Sequence, residues 1–364
     1  MGTPVRVAIA HDWMVSHSGS ERCVEELLLE FPGSRLLTTV MKSARLPPAL
    51  RFAQPSFLQH VPGAVAHHDW FLPVMPIAWS VRRRIRDADV VVSSSHACAK
   101  AVRYEPGIPH VCYCHTPMRY AWGFEAPGGR VPSSLAAPMA WAMTAFRRWD
   151  RRTAQRVTHF VANSTAVAER IRNAYGREAQ VVFPPVRTDF FTPNGSRAHD
   201  RFLFVGRLIS YKRPNLIVEA FRDLPYELLI VGSGPLEDSL RRSAPANVTF
   251  LGAVDDETLR ELYRTSRALV FPGEEDFGIA MAEAQACGTP VIAFRRGGAR
   301  DIVEDRTTGW LIDEQDVRSL RNAIRTAATV ELDPAGISRR AQRFASAEFR
   351  AQMRSVVEAA VAET

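Results

Sequence analysis

The stretch from Phe271 to Phe294, FPGEEDFGIAMAEAQACGTPVIAF, decides the fold. An apolar strand runs into an acidic turn. A helical pattern then begins at about Gly278 and stops at Gly288, a residue typical of helix C-termini. A second apolar strand follows at Val291–Ala293. Strand, helix and strand in such close succession predict two parallel strands joined by a helix, whose free N–H groups at its start favour phosphate binding.

The same alternation of strand-like and helical patterns extends over the rest of the chain. It is interrupted once, by the Pro-, Gly- and Asp-containing stretch Pro184–Asp200, which we interpret as a linker. The sequence therefore predicts an α/β protein with two doubly wound, Rossmann-like domains that face each other across a cleft. We expect domains at 1–190 and 197–340, with a C-terminal helix in 341–364.

Composition is that of a globular protein, with 364 residues, 46% of them hydrophobic and 23% charged. The five cysteines fit neither a disulfide framework nor a zinc site, so we expect reduced, buried thiols. The strand-like run begins close to Met1 with no apolar leader before it, so we expect no signal peptide. The apolar segment Trp70–Ser80 is too short to span a bilayer. These features predict a cytoplasmic protein.

The net charge of +7 comes almost entirely from arginine, since lysine occurs only at positions 42, 100 and 212. Arginines cluster at Arg82–Arg84 with Arg86, and at Arg147–Arg152. A basic surface suits nucleic acid, anionic lipid or a phosphorylated substrate, and a solvated helix face explains it equally well. No aromatic-rich nucleic-acid motif accompanies either cluster.

Two acidic residues, Glu275 and Glu283, are separated by eight positions around the predicted helix start. Carboxylates repel phosphate, but they accept hydrogen bonds from the hydroxyls of a ribose or a sugar ring. The simpler explanation is that acidic side chains stabilise the N-terminus of a helix. The spacing alone leaves both open.

Basic residues follow an earlier strand in VGRLISYKRP, residues 205–214. Arg207 and Lys212 are placed at the carboxyl end of the strand, where a guanidinium and an ammonium suit a diphosphate. Surface cations with no ligand are the alternative. The nearby VGSGPLED, residues 231–238, lacks the third glycine of a dinucleotide fingerprint, and we interpret it as a tight turn.

The N-terminal half contributes two weaker features. In HDWMVSHSGSERCVEELL, residues 11–28, Gly19 and Ser20 end a loop of small residues before a helix, which favours close approach of a phosphate or sugar. In VCYCHTPMRYAW, residues 111–122, His115 directly follows a buried strand and is suited to bind a sugar hydroxyl or a leaving-group oxygen. A purely structural histidine is the alternative.

Together these segments resemble the family 4 retaining glycosyltransferases of the GT-B fold. GEEDFGIAMAEAQACGTPVIA matches the E-x7-E motif of that family, VGRLISYKRP matches its Gly-Arg-Leu…Lys segment, and LGAVDDETLRELYRTSRALVFP matches the stretch before the motif. In the N-terminal half, HDWMVSHSGSERCVEELLLEFPGSRLLTTV, SSSHACAK, CHTPMRYAW and VANSTAVAERI resemble the mannosyltransferases of O-antigen and exopolysaccharide assembly.

The resemblance implies a set of site residues. The implied catalytic residues are His115, Glu275, Arg207 and Lys212. The implied donor-binding residues are Gly19, Ser20, Arg207, Lys212, Val254, Asp256, Glu275, Phe277, Gly278, Ile279, Ala280 and Glu283. Arg119 and Tyr120 are implied on the acceptor side.

Their roles also follow from the resemblance. Arg207 and Lys212 are expected to hold the donor diphosphate, and Glu283 the ribose hydroxyls. Glu275 and the backbone of residues 277–280 are expected to hold the transferred sugar and the phosphate. Asp256 is expected at the base. No metal or other cofactor is implied.

The implied activity is transfer of a hexose, with mannose from GDP-mannose as the first choice, to a lipid-linked or oligosaccharide acceptor in surface polysaccharide biosynthesis. Front-side attack with retention is the implied mechanism. The alternatives are a UDP-sugar-dependent enzyme of the same fold and a non-catalytic binder of nucleotide sugars or nucleic acid. We do not expect nucleic acid as a partner.

Two positions depart from the family pattern, and one surface remains open. Ser20 stands where a second glycine is usual, and Gly123 where an aspartate is usual. Trp70, Phe71 and Trp79, followed by arginines, suit either peripheral attachment to the inner face of the plasma membrane or an ordinary buried helix face.

Overall fold

The computed structural model describes residues 5–123, 133–194 and 200–364, with the side chains of Tyr120 and 133–139 excepted. The chain divides into two compact units. The N-terminal unit contains Met1–Pro185 and Phe349–Thr364, and the C-terminal unit contains Val186–Glu348.

The N-terminal unit is built on a parallel six-stranded sheet in the order β2-β1-β3-β4-β5-β6. Apolar runs such as VAIAH in β1 bury both faces, as a parallel sheet covered by helices requires. The strands are β1 Val7–His11, β2 Arg35–Thr38, β3 Val90–Ser95, β4 His110–Cys114, β5 His159–Ala162 and β6 Ala179–Val181.

The C-terminal unit has a second parallel six-stranded sheet, in the order β12-β11-β10-β7-β8-β9. This is the strand order of dinucleotide-binding folds, with the topological switch point between β7 and β10. The strands are β7 Arg201–Val205, β8 Glu227–Val231, β9 Val248–Gly252, β10 Ala268–Phe271, β11 Val291–Phe294 and β12 Gly309–Ile312. The two sheets confirm the predicted α/β fold class.

Helices connect the strands, and several begin at side-chain caps. Ser164, Asp255 and Asp316 each accept a backbone N–H at the start of a helix. The helices are α1 Gly19–Glu30, α2 Met75–Ser80, α3 Arg119–Trp122, α4 Ser133–Ala154, α5 Thr165–Tyr175, α6 Pro214–Phe221, α7 Glu237–Ser243, α8 Asp256–Thr265, α9 Ile279–Ala286, α10 Ala299–Ile302, α11 Val317–Thr329, α12 Pro334–Ala341 and α13 Ser346–Ala362.

The last helix, α13, completes the core of the N-terminal unit. Phe349, Met353 and Val357 are buried against the residues of β1, β3 and α1. Arg350 and Arg354 form ion pairs with two glutamates of α1, Glu26 and Glu30. A face of apolar side chains, flanked by these ion pairs, holds α13 in place.

Packing in the structure revises one sequence interpretation and decides another. Part of the predicted linker Pro184–Asp200 is packed, because Phe191 is fully buried with its ring centre 5.7 Å from that of Tyr263. Of the two explanations left open for Trp79, the structure supports the buried helix face, because this side chain is fully buried. It shares the inward face of α2 with Met75 and Ala78, at helical spacing.

Two expectations from the composition concern membrane-spanning helices and disulfide bonds. In residues 5–123, 133–194 and 200–364, no helix combines the length and the apolar composition needed to cross a bilayer. All five cysteines are free and buried, as predicted.

A buried ion pair joins Lys100 to Asp150 in the N-terminal unit. Lys100 also donates to the carbonyl of Ala97 at 2.9 Å. Asp150 accepts hydrogen bonds from Trp122 Nε1 at 2.9 Å and from the Tyr175 hydroxyl at 2.8 Å. Burial by itself lowers the pKa of Lys100, but the charge of Asp150 outweighs it and raises that pKa above its ordinary value. The ammonium therefore stays charged.

Replacing Lys100 tests this pair. Lys100→Met leaves the Asp150 carboxylate buried without a counter-charge, and we expect the free energy of unfolding to fall by about 3–5 kcal/mol. Urea denaturation followed by circular dichroism measures this loss. Lys42→Met, at an exposed lysine, is the control and should change little. Equal stabilities of the two variants would contradict the assignment.

Candidate active site

The loops after β7 and β10 meet at the switch point of the C-terminal unit. Lys212, at the end of the first loop, places its Nζ 2.6 Å from Oε1 of Glu275 in the second. The two side chains are only 16% and 13% exposed. The predicted cation and the first predicted carboxylate thus form one charged pair at the carboxyl edge of the sheet, where ligands of such folds bind.

A close approach between backbones brings this pair together. Gly273, just after β10, lies so near the other loop that a Cβ there would be 2.7 Å from the Cα of Lys212. Arg213 follows in the left-handed region at φ 55° and turns the chain into α6. Any side chain at position 273 would separate Lys212 from Glu275.

A pair of glycines after β11 contacts the loop after β10, which contains Glu275 and is called the acidic loop below. The N–H of Gly298 donates to the carbonyl of Glu275 at 2.9 Å. A Cβ at Gly297 would collide with the Glu275 carbonyl oxygen, and one at Gly298 with the backbone of Phe277. This support was not predicted from the sequence, although a Gly-Gly pair two residues after a strand was a usable indication.

The turn at residues 231–238 supports the loop after β7, which contains Arg207 and Lys212, in the same way. A Cβ at Gly234 would be 2.6 Å from the Leu208 carbonyl oxygen, and the N–H of Leu208 donates to the Ser233 carbonyl at 3.0 Å. The predicted tight turn is therefore also the surface on which the loop after β7 rests.

The second carboxylate, Glu283, has a different partner. It lies buried in α9, and the Tyr263 hydroxyl donates to its Oε2 at 3.1 Å. Tyr263 was not identified from the sequence, because its role depends on the packing of α8 against α9. Helix α9 begins at Ile279 after Gly278, within the predicted range, and Ile279 and Ala280 are partly exposed. The first N–H groups of α9 can therefore donate hydrogen bonds to an anion.

Arg207 and Asp256 are placed differently from the Lys212–Glu275 pair. Arg207 is exposed, and its side chain makes no hydrogen bond or ion pair to the residues described. Asp256, predicted to contact the base, lies 2.6 Å from Arg187 in an ion pair after β9, two strands away from β7. Val254 precedes it and is partly buried.

The N-terminal unit has its own switch point, between β1 and β3. Asp12, which follows β1, is fully buried, and its carboxylate accepts the backbone N–H groups of residues 96–99 at 2.6–2.8 Å. Burial opposes ionisation, but His96, His11 and these N–H groups outweigh it and lower the pKa of Asp12. One carboxylate thus joins the ends of two strands.

His115 lies at this edge, as predicted, among histidines that the sequence analysis missed. Its Nε2 is 2.8 Å from the hydroxyl of Ser94, and that hydroxyl is 3.0 Å from Nδ1 of His11. The rings of His96 and His115 are centred 6.1 Å apart, and Trp13 contacts His96 edge-on with a centroid distance of 4.3 Å. The sequence HDW, at the carboxyl end of a strand, was the available signal.

Gly19 and Ser20 form the first turn of α1. The Ser20 hydroxyl donates to Oε2 of Glu21 at 3.0 Å, and Ser18, the cap of α1, contacts the same oxygen through its N–H at 3.1 Å and through its hydroxyl. Burial alone would raise the pKa of Glu21, but the neighbouring His11 and the hydrogen bond from Ser18 outweigh it and lower that pKa to about 2. Ser20 in place of glycine therefore binds a buried carboxylate.

The proposed acceptor residues lie around α3. Arg119 begins this helix and is partly buried, whereas the side chain of Tyr120 lies outside the part described. Gly123, the second departure from the family pattern, ends α3 at φ +76°. An aspartate adopts that conformation less readily than glycine.

Two models of known protein families match this chain, one mainly on each unit. Residues 17–190 match the model described as Glycosyltransferase Family 4, and residues 187–344 match Glycosyl transferases group 1. The fold class is α/β of the GT-B type, and the two family matches together extend over residues 17–344.

Individual curated relatives match only part of the chain. The D-inositol 3-phosphate glycosyltransferase of Mycolicibacterium smegmatis is 31% identical over 229 residues, which is 56% of this chain and 51% of that protein. The enzyme of the same name from Mycobacterium tuberculosis is 31% identical over 224 residues, covering 54% and 47%. The chain thus spans about half the length of the curated relatives it matches.

Solved structures share the fold over almost the whole chain. Sucrose-phosphate synthase from Thermosynechococcus elongatus matches with a TM-score of 0.74 and 19% identity, over 99% of this chain and 100% of that one. Anabaena Alr3699/HepE, in complex with UDP-glucose, matches with a TM-score of 0.70 and 16% identity, over 98% and 100%. At these identities the likeness extends to the fold alone.

Two glycine variants separate backbone strain from close approach. Gly297 and Gly252 both have positive φ, 61° and 71°, but only Gly297 has backbone within reach of a Cβ. We expect Gly252→Ala to cost about 1–2 kcal/mol of unfolding free energy. Gly297→Ala should cost about 1–3 kcal/mol more, because the acidic loop must move. Denaturant titration measures both, and equal losses would show that the loop does not depend on this approach.

Proposed function

We propose that this protein transfers a hexose from a nucleoside diphosphate sugar to an acceptor hydroxyl, with retention of anomeric configuration. The observation that carries the proposal is the largely enclosed Lys212–Glu275 pair at the switch point of the C-terminal sheet, directly before α9. The two glycosyltransferase family matches support the same class of reaction.

The chemistry follows from the charges at the site. The bond between the anomeric carbon and the diphosphate oxygen breaks, the acceptor oxygen bonds to that carbon, and its proton passes to the departing phosphate. Lys212, Arg207 and the N–H groups at the start of α9 would stabilise the negative charge on the leaving diphosphate. In our proposal they do so without a metal. Glu275 would accept hydrogen bonds from hydroxyls of the sugar, and Glu283 from those of the ribose. The backbone of Phe277–Ala280 would bind the transferred sugar and the phosphate. Asp256 would contact the base after its ion pair with Arg187 opens.

GDP-mannose is the first candidate donor, and a lipid-linked or oligosaccharide acceptor of surface polysaccharide biosynthesis is the first candidate acceptor. The N-terminal segments that resemble mannosyltransferases support this choice. A UDP-sugar is the second candidate, because Anabaena Alr3699/HepE, which shares the fold, holds UDP and UDP-glucose.

Nucleotide binding tests the proposal. Purified protein with GDP, UDP or ADP should show a rise in melting temperature for one nucleotide. Lys212→Ala should weaken its affinity by about 10- to 100-fold, since a hydrogen bond to a charged group is lost. Glu275→Ala should weaken binding of the nucleotide sugar more than that of the nucleotide.

The controls are matched in residue type. Lys42→Ala and Glu314→Ala change an exposed lysine and an exposed glutamate and should leave affinity unaltered. A shift with UDP alone would select the second donor. No shift with any nucleotide would refute the proposal.

We also propose that the N-terminal unit attaches to the cytoplasmic face of the plasma membrane, on a revised set of residues. An apolar ridge runs along the 3₁₀ helix His68–Val74 and α2, in which Trp70 is 78%, Ile77 53% and Val81 60% exposed. Arg83 follows, exposed and with no side-chain partner in the described residues. Exposed aromatic and aliphatic groups beside a free arginine suit an anionic lipid surface.

Vesicle binding tests this attachment. Trp70→Ser with Ile77→Ser should weaken binding to phosphatidylglycerol-containing vesicles by about tenfold or more, because each side chain contributes apolar burial. Co-sedimentation measures it. Leu29→Ser, at an exposed leucine of α1, should have no effect. Undiminished binding of the double variant would refute this surface.

A further inference from the structure

A chain of polar groups links α1 to His115 through the interior of the N-terminal unit. Ser94, in β3, lies between two histidines, with its hydroxyl 3.0 Å from Nδ1 of His11 and 2.8 Å from Nε2 of His115. On the far side of His11, Nε2 lies 3.8 Å from Oε1 of Glu21. His11, Ser94 and Glu21 are all buried, and the mechanism above uses none of them.

The position of the protons follows from one contact. Nδ1 of His11 also lies 3.1 Å from the backbone carbonyl of Ser94, and a carbonyl oxygen only accepts. Nδ1 must therefore carry a hydrogen, and His11 donates to Ser94. The Ser94 hydroxyl, having received a donor, directs its own hydrogen to Nε2 of His115. His115 is then left with its hydrogen on Nδ1.

The other end of the chain agrees with this direction. Nε2 of His11 is buried and makes no hydrogen bond to the described residues, yet it faces the Glu21 carboxylate. At 3.8 Å the Glu21 carboxylate contacts the ring of His11 without taking a hydrogen bond from it. Nδ1 therefore remains the ring nitrogen whose contacts require a hydrogen.

The surroundings keep His115 neutral. Burial is the main cause, and the neighbouring His96 and His11 add to it, so that the pKa of His115 falls to about 3. Asp12 and Glu21 act in the opposite direction without reversing it. The ring of Tyr113 packs edge-on against it from β4, with the centroids 5.1 Å apart.

We propose that Glu21, His11 and Ser94 are positioning residues that fix His115 as the neutral Nδ1–H tautomer. His115 then offers a single, oriented N–H donor at the carboxyl end of β4. The use of this donor rests on the proposed function: it would bind a hydroxyl or the leaving-group oxygen of the nucleotide sugar. The assignment of the tautomer rests on the contacts of His115 and does not depend on that function.

The tautomer is directly measurable by NMR. In protein labelled with ¹⁵N-histidine, long-range ¹H–¹⁵N correlations should show His115 protonated on Nδ1 alone, and neutral throughout a titration from pH 8 to pH 5. Ser94→Ala removes the donor to Nε2, and the His115 resonances should move to a mixture of tautomers. His11→Leu should have the same effect, whereas His11→Asn, which keeps a donor beside Ser94, should restore the single tautomer.

Ser93→Ala provides a matched control, since Ser93 is the adjacent residue of β3 and its hydroxyl lies 2.8 Å from Nε2 of His110. It should move the His110 resonances and leave His115 unchanged. Nε2-protonated His115 in the unmodified protein, or an unchanged tautomer in Ser94→Ala, would overturn the proposal.

Kinetics separates positioning from folding and from the proposed function. With GDP-mannose or UDP-glucose as the donor, Ser94→Ala should lower kcat for donor hydrolysis by roughly tenfold with little change in KM, about the value of one hydrogen bond. A tautomer shift as expected in a protein that turns over neither donor would support the positioning of His115 and count against transfer from these two donors. An equal loss of kcat in Ser93→Ala would indicate a merely structural effect and would count against the positioning role.

Discussion

The carboxylate of Asp12 is the constraint on which the N-terminal unit depends. It accepts four backbone N–H groups from residues 96–99, and so it joins the end of β1 to the end of β3 at the point where the strand order reverses. Because His11 and Trp13 flank Asp12 in the chain, while His96 supplies one of the N–H groups, the same interaction sets the positions of these three side chains. His115 is then placed among them by Ser94.

The C-terminal unit also brings two loops together at its switch point, but it does so without a shared carboxylate. Its loops approach each other through positions that lack a side chain, Gly273 against Lys212 and Gly298 against Phe277, rather than through a shared carboxylate. Because no charged side chain is needed to join the loops, Lys212 and Glu275 can pair with each other at the site. A ligand that engages either group must compete with this pair, so the protein holds both groups in place beforehand at the cost of some intrinsic affinity.

The sequence was sufficient for the fold and for the local part of the site. Strand and helix periodicities predicted the two parallel sheets, and the motif around Glu275 correctly placed the start of α9. What could not be predicted were contacts between segments distant in the chain, such as Tyr263 with Glu283 and His11 with Ser94, since periodicity carries no information about them. The burial of Trp79 could not be decided from the sequence, because an apolar run does not show which of its members faces inward.

The scarcity of lysine has a practical consequence for chemical probing. Of the three lysines, Lys100 is buried in an ion pair, Lys212 is largely enclosed beside Glu275, and Lys42 is exposed. Amine-reactive reagents will therefore label the lysines at very different rates, although the protein is strongly basic. Slow acylation of Lys100 would report the opening of the N-terminal unit, and acylation of Lys212 would report the separation of the charged pair, each read separately in one mass spectrum.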